Sequence, residues 1–269
     1  MEIDFGVKKV WRDLVESKES LRSLYWLTFL MILTSVFDTV LKVNIFYSIV
    51  SLVLGAYFIL MVNNIIHDQK PVLENLNAQK GEGRNIVLVT LQLFGIGIVY
   101  GIAIGIIGVS LYLIMTKLLM MNVFLALFLL IILLIPVLVL MSFCNLLFAE
   151  RLEFGDAFNL KRAVNSFKIG WKQYLAVFAI NIFLVIGVIA TMVVIFVPIV
   201  LLISLALNDY NFLAVAKNST SKHIADMAGK LIGAFIAPVL GVMISYWFHN
   251  ATGQIYKYTI SKMNENNSI

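Results

Sequence analysis

The chain has 269 residues, of which 61% are hydrophobic and only 13% are charged, and its formal net charge is +5. This composition is far from that of a soluble domain and predicts an integral membrane protein. The single cysteine, Cys144, excludes disulfides within the chain and cysteine-rich metal sites. Because no nucleotide-binding loop, nucleophile elbow or HExxH pair is present, we expect no enzyme, no catalytic residue, no metal and no cofactor.

The N-terminal arm is predicted to form an amphipathic helix in the plane of the membrane interface, with its basic face toward anionic headgroups. Its apolar residues, at helical spacing, are Val7, Val10, Trp11 and Leu14. A second helix of this kind is predicted before the fifth apolar stretch, again with basic residues between the apolar ones. Its apolar residues include Leu160, Val164, Phe167 and Trp171.

Six stretches are long enough to cross a bilayer, since about 20 helical residues span a hydrocarbon core roughly 30 Å thick. They are apolar on every side, which excludes the alternating pattern of barrel strands. The sequence therefore predicts an all-α polytopic protein of about six transmembrane helices. The predicted spans are Leu24–Leu41, Ile45–Ile66, Ile86–Met115, Val123–Ala149, Tyr174–Leu207 and Met227–Asn250.

The third and fifth stretches are longer than one crossing needs. Tilted helices that overhang into the headgroups are one explanation of this length. A re-entrant or broken helix is the other, with Pro198 as the break in the fifth stretch and several glycines loosening the third. The sequence leaves both open.

The distribution of basic residues predicts the orientation. Fifteen of the 20 lysines and arginines lie in the N-terminal arm, the second and fourth loops and the C-terminal tail, and five lie on the opposite side. By the positive-inside rule, both termini are cytoplasmic. We therefore expect a multi-pass protein of the cell membrane whose lipid partners include the anionic inner leaflet, with no nucleic-acid partner.

A repeated pattern divides this single transmembrane domain. Val53-Leu54-Gly55 precedes Asn63-Asn64 at the spacing with which Val239-Leu240-Gly241 precedes His249-Asn250. We interpret this as a repeat of interfacial helix, span and span, in residues 1–75, degenerate in 76–154, again in 155–262, and followed by a polar tail, 263–269. Because each copy has two spans, the copies share one orientation and the repeat is parallel.

The final third of the chain resembles a known family. Residues 158–256, with Ala237-Pro238-Val239-Leu240-Gly241 and Tyr246-Trp247-Phe248, look like the prokaryotic membrane family called domain of unknown function 4013. The second span and its loop, Gly55 to Pro71, resemble it as well. The resemblance implies a prokaryotic multi-pass membrane protein and no particular activity.

Polar residues within or beside the spans are the candidate site residues, because burying them in hydrocarbon without partners is costly. Asp38 and Lys42, one turn apart, are predicted to form an ion pair, with a cation or proton role as the alternative. A second set lies where the second and sixth spans end, and it either satisfies helix ends or forms a polar inner vestibule. This set is Asn63, Asn64, His67, Asp68, His249, Asn250 and Gln254.

Gly97, Gly101 and Gly105 lie on one face of the third span, where they permit close helix approach either inside the protein or in a homo-oligomer. Three functions remain open. The first is a non-enzymatic scaffold or partner subunit, which the scarcity of intramembrane charge favours. The second is a transporter component, which the repeat and the polar helix ends favour. The third, a lipid-modifying enzyme, lacks paired carboxylates in mid-span.

Overall fold

The computed structural model describes residues 17–41, 45–68, 85–206 and 219–267, and this part of the chain is all-helical without strands. A π-helical turn, Ile114–Leu118, extends the third helix, and a short 3-10 helix, Phe154–Phe158, follows the fourth. The predicted all-α fold class is therefore confirmed. The helices are α1 Lys18–Leu41, α2 Ile45–Ile66, α3 Ile86–Leu113, α4 Val123–Arg151, α5 Leu160–Ala206 and α6 Ser219–Asn267.

Each of the six helices contains a segment long and apolar enough to cross a membrane. The bounds of α2 are those predicted, and α4 ends two residues later than predicted. This agreement follows from the length of uninterrupted apolar sequence. The structure thus has the architecture of a multi-pass membrane protein.

Both long stretches form continuous helices. The π turn carries α3 on to Leu118, and α5 runs for 47 residues with Pro198 inside it. At about 1.5 Å per residue α5 is about 70 Å long, more than twice the hydrocarbon thickness. The described helices are therefore continuous and not broken, as the overhanging alternative requires.

The continuity of α5 also corrects the prediction of a separate in-plane helix before the fifth span. Leu160, Val164, Phe167 and Trp171 lie in the first turns of α5 itself. No proline interrupts the segment between them and the apolar part, so the helix continues. Likewise α6 continues 17 residues beyond Asn250 and includes most of the predicted polar tail.

Two predicted features lie outside the described residues. They are the N-terminal amphipathic helix, with Val7, Val10, Trp11 and Leu14, and the side chain of Lys42. The internal repeat stays a prediction.

The buried residues are concentrated at one end of the bundle, which we call the polar end: the end where α1, α3 and α5 begin and α2, α4 and α6 end. Helices α2 and α6 are central, since α6 packs against α1, α2 and α5, and α2 packs against α1, α3, α4 and α6. Buried side chains of α2 lie between Leu54 and Asn64. Those of α4 lie at Ala126 and between Phe143 and Ala149.

Two glycines let helices approach closely at the polar end. A Cβ atom added to Gly170 of α5 would lie 2.8 Å from the hydroxyl oxygen of Thr259 in α6. One added to Gly253 of α6 would lie 3.4 Å from Ile65 and 3.5 Å from Val62 in α2. These missing side chains allow α6 to fit between α5 and α2.

Candidate functional site at the polar end

Glu150, in the last turn of α4, is the centre of a polar network. Arg162 of α5 donates hydrogen bonds from Nη2 to both carboxylate oxygens, at 2.6 and 2.8 Å. Tyr256 of α6 donates its hydroxyl hydrogen to Oε2 of Glu150 at 2.8 Å. Only 12% of the Glu150 side chain and 25% of the Arg162 side chain are exposed. This triad joins α4, α5 and α6 at one point. Its hydrogen bonds are charge-assisted and therefore stronger than bonds between neutral groups.

Asn63 of α2 and His67, one residue beyond α2, bind the backbone at the end of α4. Asn63 donates from Nδ2 to the carbonyl oxygens of Ala149 and Glu150, at 2.7 and 3.1 Å. His67 places Nε2 2.9 Å from the same Glu150 carbonyl, so Nε2 carries the hydrogen. The last carbonyls of a helix have no partner within it. Asn63 and His67 therefore cap α4 from outside.

The α6 members of the predicted cluster lie against the same surface of α2. His249 stacks on Phe58, with ring centroids 5.0 Å apart, and contacts the carbonyl of Ser245 through Nδ1 at 2.8 Å. Lys257 forms an ion pair with Asp68 just beyond the end of α2. The structure thus brings together the α2 and α6 halves of the set.

The remaining members make contacts within the bundle. Gln254 donates from Nε2 to Oδ1 of Asn250 at 2.6 Å, one turn away on α6. Asn64 and Asn250 are both buried. Within the described ranges, no three histidine, cysteine, aspartate or glutamate side chains are placed to hold a metal ion. The arrangement satisfies helix ends and joins helices.

A cavity of about 530 Å³ opens at the surface of the polar end, between the last turn of α2 and the final turns of α6. Its lining is mixed: one lysine and one glutamate of α6, two isoleucines and two small polar side chains. The residues are Ile66, Lys257, Ile260, Ser261, Asn264 and Glu265.

Asp38 lies at the opposite end, which we call the far end, and is 5% exposed. Its Oδ2 accepts a hydrogen bond from the backbone N–H of Tyr47 at 2.7 Å, in the first turn of α2. A carboxylate is favourable there because helix N-termini carry partial positive charge and unpaired donors. Asp38 therefore caps the next helix, while the predicted partner Lys42 lies outside the described residues.

The glycine stripe of α3 does not pack against any of the described helices. Gly97, Gly101 and Gly105 are exposed, and a Cβ added to any of them would meet nothing within 4 Å. Of the α3 side chains, only Val89 and Ile96 are buried. Of the two alternatives for the stripe, close packing against another described helix is therefore absent, because this face of α3 is directed outward from them, and the homo-oligomer stays a prediction.

Sequence reasoning missed the triad. Glu150 follows a long apolar run beside other charged residues, and this position indicates a solvated charge cluster. Arg162 is one of the basic residues between the apolar positions of the second predicted interfacial helix, where the pattern predicts a basic face directed at headgroups. The sequence offers one signal for Tyr256: with Thr252 and Thr259 it forms a polar stripe on one helix face. In the structure all three side chains are buried.

Comparison with known proteins gives no relative from which a function can be transferred. No family model, curated protein or solved structure matches the chain.

Proposed function

We propose that this protein is a non-enzymatic multi-pass membrane scaffold or partner subunit. The observation that carries the proposal is the use made of the polar residues. Asn63 and His67 are bound to the carbonyls at the end of α4, and the carboxylate of Glu150 is neutralised by Arg162. A ligand vestibule needs polar groups directed into a cavity. These groups are directed into contacts between helices.

The far half of the bundle supports the same conclusion. Along α4, from Val123 to Met141, every side chain is apolar, and most of the large ones are exposed. Substrate and ion pathways through membranes are marked by polar or ionisable side chains facing the interior. A long apolar surface on α3 and α4 instead suits contact with lipid and with another membrane protein.

One observation favours a transporter component as the second candidate. The open cavity between α2 and α6 is the size of small-molecule pockets and carries a charged lysine at its margin. Its occupant would enter from the polar end, since the cavity opens there.

Native nanodisc extraction of the full chain followed by mass spectrometry tests both candidates, with Gly101→Leu and Ser261→Trp as the decisive variants. The first adds bulk to the outward face of α3, and the second fills the cavity. A stoichiometric protein partner that the wild type and Ser261→Trp retain but Gly101→Leu loses supports the partner subunit. A small molecule that only Ser261→Trp loses would support transport and contradict the scaffold. Equal thermal unfolding temperatures of the three proteins are the control for folding.

We also propose that the protein lies in a prokaryotic cell membrane, that it belongs to the family its sequence resembles, and that both termini are cytoplasmic. The basic residues at the polar end support the orientation. It is tested with single cysteines placed in a Cys144→Ala background. Met120→Cys, in the 88% exposed position between α3 and α4, should react with an impermeant maleimide in intact cells. Glu265→Cys should react only after permeabilisation, and the reverse pattern would contradict the orientation.

A further inference from the structure

The first turns of α5 present an exposed face that the triad does not use. Its basic residues are Lys161, Lys168 and Lys172, all exposed and without an acidic partner in the described part of the chain. No aspartate or glutamate occurs anywhere in the 47 residues of α5. Of the acids in the 150–156 segment, Glu150 binds Arg162, Asp156 lies 4.0 Å from Arg151, and the exposed Glu153 forms no ion pair with a described residue. Among the described residues, the charges of the three lysines are therefore not compensated.

The lysines lie together on one side of the helix. At about 100° per residue, they fall within about 40° of one another. They are roughly opposite the buried Ala163 and Tyr174, of which Tyr174 contacts Phe143 of α4 with ring centroids 4.0 Å apart. The face that the lysines occupy is thus turned away from the described helices.

An apolar flank runs beside the basic stripe. Leu160, Val164, Trp171 and Leu175 are exposed by 52, 37, 44 and 45%. The Nζ atom of Lys172 lies 5.7 Å from the centre of the Trp171 ring. Tryptophan is enriched at the level of lipid headgroups, where its ring is in the apolar layer and its polar edge is wet. The Trp171 ring therefore indicates that the neighbouring lysines lie at the level of the lipid headgroups.

The same side of α5 continues as exposed apolar surface below the lysines. Ile182, Phe183 and Ile186 are exposed by 46, 73 and 55%. From Lys172 to Ile182 the helix rises about 15 Å, which is the hydrocarbon thickness of one leaflet. An acyl chain lying along this surface would have its headgroup at Lys168 and Lys172.

We infer that Lys168 and Lys172, with Trp171 beside them, bind the phosphate of an anionic phospholipid whose acyl chains lie along α5. The continuity of α5 makes this a discrete site, because the basic residues and the acyl-chain surface belong to one helix face. A lysine ammonium is a compact charge on a flexible stem, so the two side chains reach the phosphate from one turn apart. Lys161, about 16 Å along the axis from Lys172, adds attraction to the anionic surface beyond the site.

The test is a lipid titration of the purified full chain in detergent, read by native mass spectrometry. Phosphatidylglycerol should bind more tightly than phosphatidylcholine. Lys168→Gln combined with Lys172→Gln should weaken phosphatidylglycerol binding by about five-fold for each lysine removed. Lys168→Arg combined with Lys172→Arg should keep binding within about two-fold, since the charge remains.

Two controls separate a site from net charge and from folding. Lys117→Gln combined with Lys262→Gln makes the same charge change at exposed positions outside the site, and it should leave binding unchanged. All variants should have the thermal unfolding temperature of the wild type, because the lysines face away from the core. Equal losses in the two glutamine pairs, or undiminished binding in the first, would overturn the inference. So would displacement of the lipid by excess inorganic phosphate, which would indicate a site for free anions.

Discussion

The polar end and the far end of the bundle are built from the same helices yet are packed differently. In α2, residues near the polar end are buried, whereas Ile45, Phe46 and Ile49 at the far end are 63, 49 and 56% exposed. Both parts of the helix are apolar. In a bilayer an apolar side chain gains little by leaving lipid for protein, so packing follows hydrogen bonds and small residues. The polar end has the triad, the Asn63 cap and two close glycines, and it is there that the helices meet.

Removal of Glu150 should disrupt the polar end most. Glu150→Ala leaves the Arg162 guanidinium without its partner and removes the acceptor of the Tyr256 hydroxyl. We expect the free energy of unfolding in detergent to fall by roughly 2–3 kcal/mol, somewhat less than for a fully buried pair because Arg162 is partly exposed.

The exposed Glu153→Ala, three residues along, is the matched control and should change little. Adding Arg162→Leu to Glu150→Ala should recover part of the loss, since the unpaired charge is removed with it. If Glu150→Ala unfolds like Glu153→Ala, the triad does not hold the helices together.

The same glycine-to-leucine change should have different effects at Gly170, in the polar end, and at Gly101, on the outward face of α3. Gly170→Leu drives a side chain into Thr259 of α6, and should lower the free energy of unfolding by about 1–3 kcal/mol. Gly101→Leu meets no neighbour and should stay within about 0.5 kcal/mol of the wild type. Denaturant titration of both variants measures the difference, and a destabilised Gly101→Leu would show that the face of α3 is covered.

Asn63→Ala should have a smaller effect than either of these changes at the polar end. It removes two hydrogen bonds to the last turn of α4 and should cost about 1–2 kcal/mol of unfolding free energy. Asn145→Ala is the matched control on α4, because the Asn145 side chain makes no hydrogen bond to other described residues. Equal losses in thermal unfolding of the two variants would mean that Asn63 does not cap α4.

The smallest change is expected at the far end, at Asp38. Asp38→Asn keeps an oxygen that accepts from the Tyr47 N–H and should lower the unfolding free energy by about 0.5 kcal/mol or less. Asp38→Ala removes the cap and should cost about 1 kcal/mol. A loss of biological function in Asp38→Asn at normal stability would instead favour the cation or proton role.

The sequence predicted the helices better than their contacts. Six spans follow from apolar length, which is a local property of the chain. The triad brings together Glu150, Arg162 and Tyr256, the last of them 106 residues from the first, and no local pattern encodes such a meeting. The glycines show the same limit: the regular stripe on α3 faces outward, while Gly170 and Gly253, which belong to no such stripe, lie close to neighbouring α-helices. The spacing of residues in the sequence predicts which of them share a helix face, but only the fold shows which helix packs against that face.

Cys144 gives this molecule its own reporter of helix separation. Its side chain is completely buried in the core of the polar end, and it is the single thiol of the chain. A membrane-permeant thiol reagent reaches the sulfur only when α4 separates from its neighbours. The rate of modification under native conditions therefore times the opening of the bundle without any engineered label, and it should rise in the variants that weaken the polar end and stay constant in those that alter the far end.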